Sequence, residues 1–308
     1  MNLPAVTIVV VSYRTRELTL TALRSVFDQT QPGTFELIVV DNDSDDGSAD
    51  AIEAEFGDRL HLIRAGDNLG FARANNLAAE QAKGEYLLLL NPDTVVLDRA
   101  IDRLLAFARS RPEAGIWGGR TVFADRSLNP ASCWQRITPW STVCMATGLR
   151  AAFKGSELFN PEGIGSWPRD SIREVDIVVG CFLLTRLETW RALDGFDLRY
   201  WMYGEESDLC LRARALGCRP AITPDATIVH LVGASSPDDV RKEAIITKAR
   251  VTLVRTHWPA WQVPFGLSMF WCWALLKDLA GRVRRRPRPH GSLFSLRRDW
   301  LAGYPADC

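Results

Sequence analysis

Apolar runs alternate with amphipathic stretches over the first ~115 residues. "VTIVVVSY", "FELIVVD", "LHLIRA" and "EYLLLLN" are nearly continuous in Val, Ile and Leu, the pattern of strands buried on both faces. Residues ~16–29, "GSADAIEAEF", "GFARANNLAAEQAK" and residues ~98–110 fall between or after them with helical spacing. Such alternation predicts an α/β fold: a mostly parallel central sheet flanked by helices. Residues ~120–175 are less regular and rich in Pro, Trp and Gly. "VDIVVGCFLLTR" then predicts another buried strand, "GEESDLCLRARALG" a short helix ended by Gly217, and "ATIVH" a last short strand.

The chain has 308 residues, enough for one large domain or two small ones. Lys plus Arg and Asp plus Glu both total 37, so net charge points to no partner. The distribution is uneven. Asp41 to Asp58 carries eight acids and no base, and Leu279 to Arg298 seven Arg and no acid. Seven cysteines, an odd number without CxxC spacing, predict reduced structural thiols in a cytoplasmic protein. The N-terminus shows no basic leader or cleavage site and reads as a first strand.

In "LLLLNPDTVV" a buried strand must stop at Pro92, and a carboxylate stands at its end. Ligands of open α/β sheets bind beyond the carboxyl ends of the strands, so Tyr13, Asp41 and Asp93 should share one rim. Asp41, Asn42 and Asp43 suit a polar turn, or hydrogen bonds to the N–H groups of a nucleobase. No GxGxxG or GxxxxGK[ST] loop is present. Asn91-Pro92-Asp93 suits a type I turn, or a hard-cation site in which one carboxylate and a diphosphate complete the shell. Glu205, Glu206 and Asp208 open a helix, where acids favour the dipole and Asp208 could pair with Arg212. Clustered carboxylates also push their pKa values apart, one route to a general base. His230 is a core histidine unless Asp93 lies close. Arg73 and Asn75 fall in the first two turns of the third helix, where Arg73 could reach a phosphate or be solvated.

Together, in this order, "VTIVVVSYR", "LIVVDNDSDDGS", "NLGFARANN", "LLLLNPDT", "VDIVVGCFLL", "LDGFD", "MYGEESDLCLR" and "ATIVHLVGAS" resemble the family 2 glycosyltransferases of the GT-A fold. The nearest branch is that of the bacterial rhamnosyl- and galactofuranosyltransferases. The stretches cover residues ~5–236, which implies a GT-A domain over 1–236 and a C-terminal helical extension over 237–308. The resemblance implies a nucleotide-sugar donor held by Tyr13, Arg14, Asp41, Asn42, Asp43, Asn68, Gly70, Arg73, Asn75 and Asn91. It implies Mn²⁺ or Mg²⁺ on Asp93, which stands in the DxD position, with His230 as a further ligand. The base falls on Glu206, with Glu205 and Asp208 as alternatives, since this chain reads Glu-Glu where the branch has Glu-Asp. The implied reaction is inverting transfer of a sugar, rhamnose among the candidates, to a hydroxyl of a glycan or lipid-linked acceptor in cell-surface polysaccharide synthesis. A sugar nucleotidyltransferase would carry a Gly- and Arg-rich loop where this chain has "VSYRTREL". A non-catalytic nucleotide-sugar-binding protein would not need the Asp93, Glu205/Glu206 and His230 set.

Trp258 to Leu276 is 19 residues without a charge, and "RVRRRPR" follows at 282–288. Two prolines and scattered tryptophans suit a helix lying on an anionic membrane surface better than one spanning it. The alternative is a core helix with a solvated basic tail. No recognised nucleic-acid-binding fold accompanies the basic run. The expected location is cytoplasmic, at the inner face of the cell membrane.

Overall fold

The computed structural model describes residues 3–231, 240–283 and 291–305. In chain order the elements are β1 (Val6–Ser12), α1 (Arg16–Gln29), β2 (Phe35–Asp41), α2 (Ser48–Phe56), β3 (His61–Arg64), α3 (Gly70–Glu80), β4 (Tyr86–Leu90), β5 (Thr94–Val96) and α4 (Ala100–Ser110). Next come β6 (Ile116–Val122), β7 (Leu128–Asn129), β8 (Cys133–Trp134), α5 (Pro139–Ala146), α6 (Leu149–Ala152), β9 (Arg173–Glu174), β10 (Ile177–Val178), β11 (Phe182–Arg186) and α7 (Leu187–Ala192). The chain finishes with α8 (Glu205–Ala215), β12 (Ala221–His230), α9 (Val240–His257), α10 (Val263–Val283) and α11 (Arg297–Ala302).

Two compact units emerge. The first comprises Met1–Trp134, Pro168–Trp201 and Glu206–Val232. The second comprises Gln135–Trp167, Met202–Glu205 and Gly233–Cys308, so it draws in two segments from before residue 236. The expected boundary at 236/237 lies outside the described residues.

In the first unit one sheet runs β3-β2-β1-β4-β11-β6-β12-β5. β3, β2, β1 and β4 are mutually parallel, and β11 enters antiparallel between β4 and β6. Val6, Ile8, Val10, Leu88 and Leu90 join helix residues Leu23, Ile101 and Leu104 in its core. Each such apolar side chain withdrawn from water contributes about 1.5–3 kcal/mol.

Three expectations need correction. "VDIVVGCFLLTR" is not one strand: β10 ends at Val178 and β11 begins at Phe182, with Gly180 between them. β6 was not legible as a strand because Gly118 and Gly119 dilute its apolar pattern. Packing demands them. A Cβ on Gly119 would lie 2.1 Å from the Ala226 carbonyl oxygen, and one on Gly118 2.5 Å from Val178. β12 starts at Ala221, ahead of "ATIVH", because a register shift between Thr223 and Thr227 accommodates Pro224 inside the strand.

The second unit packs α10 through Phe270 and Ala274 with Val251, Val254, Leu293 and Trp300. Trp258 Nε1 donates to Ile137 O at 3.0 Å. Arg250 holds the buried Glu162 through Nη1 and Nη2, at 2.8 and 2.9 Å. The opposite stripe of the 260–283 segment is apolar but exposed, with Trp261 at 79% and Val283 at 84% and Phe265, Leu276 and Leu279 between them. Thus the alternative reading, a helix that packs in a core, describes one face of α10, and the same helix carries a second, exposed apolar face. No helix among the described residues is long and apolar enough to cross a membrane. Arg284, Arg285, Arg286 and Arg288 of the basic run, and the end of "ATIVHLVGAS", lie outside the described residues.

Candidate active site

The site is assembled by sheet register. Ser12 pairs with Asp41 and Val10 with Leu90, so β1, β2 and β4 deliver Tyr13, the Asn42–Asp43 turn and Asn91–Asp93 to one edge. Asp41 is buried. Its Oδ2 accepts from Ser44 N at 3.1 Å, while Oδ1 is enclosed without a hydrogen-bond partner. Such an acceptor is costly unless a ligand N–H meets it. Asn42 ties the end of β2 to the start of α3. Its Nδ2 donates to Asn68 Oδ1 at 3.0 Å and to Gly70 O at 3.3 Å, and its Oδ1 accepts from Leu69 N at 2.9 Å. Gly70 sits at φ +73°, and a Cβ there would stand 2.7 Å from the Trp201 carbonyl oxygen, so only glycine fits. Arg14 N donates to Ser44 Oγ at 3.0 Å, its guanidinium pairs with Asp45 at 2.9 Å, and it lies 5.1 Å from the Tyr13 ring centroid. Asp43 and Arg73 are exposed. Asn75 is buried and donates to Phe71 O at 2.9 Å, a bond inside its own helix.

Asp93 and His230 meet, as the sequence left conditional. The last rung of the β5–β12 ladder pairs Thr94 with His230, and Leu231 N donates to Asp93 O at 2.8 Å. His230 Nε2 therefore stands 3.3 Å from Asp93 Oδ1. Burial works against the charged imidazole, but Asp93, and then Cys181, outweigh it and push the His230 pKa up to about 10. No group of three or more His, Cys, Asp or Glu among the described residues could hold a metal unaided. The pair still fits a divalent cation. Neighbouring ligands on bonds of ~2.1 Å are about 3 Å apart, and Mg²⁺ is commonly held by one or two carboxylates plus substrate phosphates. Asn91 Oδ1 is buried there without a hydrogen-bond partner. Imidazole ligation shifts preference towards Mn²⁺ and requires the ring to be neutral.

The acids of α8 separate. Asp208 is 1% exposed and accepts from Arg212 Nε at 2.7 Å, and Arg212 Nη2 donates on to Gly195 O at 2.8 Å. The pairing considered as its structural role is the one formed. Glu206 instead approaches Gly180: a Cβ on that glycine would lie 3.8 Å from Glu206 Cβ and 3.4 Å from the Phe71 ring. The next residue, Cys181, accepts from Asn91 N through its carbonyl at 3.2 Å. Glu206 thus borders the segment that flanks Asn91. Glu205 is buried and belongs to the second unit. Gly180 and Phe71 went unnoticed in the sequence. A glycine interrupting an apolar strand was the available signal.

The profile of Glycosyl transferase family 2 matches residues 7–170, more than half of the chain. The O-antigen biosynthesis protein RfbC of Myxococcus xanthus is 30% identical over 247 residues, covering 78% of this chain and 18% of that protein. The N-acetylglucosaminyl-diphospho-decaprenol L-rhamnosyltransferase of Mycobacterium tuberculosis is 26% identical over 280 residues, covering 81% and 84%. The mannosyltransferase PcManGT from Pyrobaculum calidifontis, solved with GDP-Man and Mn²⁺, shares the fold with TM-score 0.58 at 18% identity, covering 98% of this chain and 84% of that one. The fold is that of the GT-A glycosyltransferases. The chain belongs to Glycosyl transferase family 2. It spans about a fifth to a half of the length of several curated relatives it matches.

Proposed function

We propose that the chain is an inverting, divalent-metal-dependent glycosyltransferase that uses a nucleotide-sugar donor, with rhamnose the favoured sugar. The observation that carries the reading is the approach of His230 Nε2 to Asp93 Oδ1, 3.3 Å, at the carboxyl edge of the sheet. Relatives named rhamnosyltransferases, one of them for a decaprenol-linked acceptor, support the sugar and a lipid-linked or glycan acceptor. Asp41 receives base N–H groups, while Tyr13, Arg14, Asp43, Asn68, Gly70 and Arg73 line the donor's path. Asp93, His230 and the Asn91 amide would hold the cation, which would supply charge neutralisation for the leaving diphosphate. Glu206 accepts the proton of the acceptor hydroxyl. The freed oxygen attacks the anomeric carbon as the bond to the diphosphate breaks, so configuration inverts and no covalent intermediate forms. Asp208 holds α8 through Arg212 and does not touch the reacting atoms.

The exposed stripe of Trp261, Phe265, Leu276, Leu279 and Val283 is read as a face for an anionic membrane surface, supported by the seven Arg from Leu279 to Arg298. That would put the protein peripherally at the membrane where a lipid-linked sugar is presented. Sedimentation with anionic vesicles at low and high salt tests it, and protein left in the supernatant at low salt would end it. Activity is tested with a panel of dTDP-, UDP- and GDP-sugars, with Mn²⁺ or chelator. Acceptor-dependent, chelator-sensitive release of nucleoside diphosphate is expected. Donor use that survives excess chelator would refute the metal assignment.

A further inference from the structure

The turn that leads into α8 is strained. Tyr203 has φ 66° and Gly204 φ 94°. A bulky aromatic residue rarely adopts the left-handed region and persists there only where its surroundings hold it. Met202–Glu205 is a short strap, and the unit to which it belongs contains the C-terminal segment.

That segment is itself tightly moored along α9. Arg255 Nη2 donates to Leu301 O at 3.1 Å, and Lys248 Nζ pairs with Asp299 Oδ1 at 2.7 Å. Gly303, at φ +73°, brings the chain in against Thr252, where a Cβ would lie 3.0 Å from Thr252 Oγ1. Tyr304 N then donates to that same hydroxyl at 2.8 Å. The Tyr304 side chain reaches the strap, and its Oη donates to Met202 O at 3.3 Å. Burial, and after it the charge of the nearby Glu205, push the phenol pKa up to about 12, so Tyr304 remains a donor throughout the neutral range.

We propose that Tyr304 is a positioning residue for the catalytic base. It clamps the strained Met202–Glu205 strap from the C-terminal end of the chain and so fixes the direction in which Glu206, the next residue, leaves it. The inference rests on the assignment of Glu206 above. It gives residues 297–304 a role in the reaction from a point almost 100 positions beyond the base in sequence. A misplacement of about 1 Å at a reacting group can cost about 10²-fold in rate, so a lost clamp should be visible in turnover.

The test compares wild type, Tyr304→Phe, Glu206→Gln and the double variant, all as the full chain. Tyr304→Phe removes one hydroxyl and keeps the ring. Its kcat should fall about tenfold or more, donor KM should stay within about twofold, and amides 202–207 should exchange faster with deuterated solvent. In the Glu206→Gln background the same change should cost nothing further, because the clamp acts through that carboxylate. An unchanged kcat in Tyr304→Phe overturns the proposal, as does a full additional loss in the Glu206→Gln background. If the wild type transfers no sugar, the functional reading has failed, and the exchange measurement still decides the clamp. Strap amides that remain as protected in Tyr304→Phe as in wild type then overturn it.

Discussion

The two ends of the rim are held by different means. His230 stands at the last rung of a β-ladder, opposite Thr94, and Asp93 directly precedes that rung, so backbone pairing brings the two residues together. Glu206 follows a turn with two residues in the left-handed region, and the strap before it is held by a tyrosine almost 100 residues further along the chain. A ladder position is shared among many backbone hydrogen bonds and resists any single substitution. A strap to which a side-chain phenol donates is open to a change in that side chain. On the proposed roles, the half assigned to the metal should therefore fail only when one of its proposed ligands is removed, and the half assigned to the base also when its distant support is removed.

The largest effect belongs to the ladder-held end. Asp93→Ala should reduce transfer by about 10³-fold or more, since stabilising a leaving diphosphate is worth several kcal/mol. Melting temperature should change little, because the side chain is partly exposed and the Leu231–Asp93 backbone bond remains. Turnover near the wild-type rate in excess Mn²⁺ would show that the ladder does not build a metal site.

The next effect belongs to the other end. Glu206→Gln should lower kcat by about 10²–10⁴-fold with little change in donor affinity. Asp208→Asn, which breaks the pair with Arg212, should instead show first in stability. If Asp208→Asn gives the kinetic loss and Glu206→Gln does not, the base has been misassigned.

The same contrast explains what the sequence made legible. β1, β2 and β4 were legible because two-sided burial writes uninterrupted runs of Val, Ile and Leu, and the rim followed from where those runs end, whereas the three-residue β5 was too short to leave such a run. Asp93 could be placed from Pro92 alone, and His230 became interesting only if close to Asp93, which the ladder made true. β6 stayed hidden because close packing against Ala226 and Val178 required glycines, which carry no hydrophobic signal. The separation of Glu206 from Asp208 was likewise hidden. Spacing showed that Arg212 could reach Asp208, but not that Leu193 and Gly195 carbonyls would fix that arginine in place. Tyr304 left no signal, since nothing local in "LAGYPADC" points towards residues 202–205.

The unit that contains the strap can be weakened from its own core. Phe270→Ala removes a fully buried ring from α10 and should destabilise by about 3–5 kcal/mol, read as a lowered denaturant midpoint. Deleting 258–308 should be more severe and leave aggregated protein rather than a freed catalytic domain, because Phe270, Ala274 and Trp300 belong to the core of the second unit. A soluble, folded truncation would mean that the extension is an appendage after all.

The smallest expected effect is one of pH, and it acts on the helix that moors Tyr304. Arg250 of α9 grips Glu162, with Arg150 Nη1 a further 3.6 Å contact. Burial alone would raise the Glu162 pKa, but Arg250, then Arg150 and Ser141, hold it below the ordinary carboxylate range. A group whose folded pKa is depressed contributes stability that is present above its unfolded value, 4.5, and lost as pH falls through the folded value. Glu162→Gln keeps the shape and some hydrogen bonding but not the charge. It should cost about 1.5–3 kcal/mol at pH 7, and the gap to wild type should close progressively below pH ~4.5. Because α9 carries Lys248 and Thr252, the loosened helix should also release the C-terminal mooring, so deuterium exchange at 297–304 should rise at pH 7 in the variant. A stability gap that is constant from pH 7 to pH 3 would mean that Glu162 acts through packing alone, and that the ion pair does not steady the helix from which the strap is held.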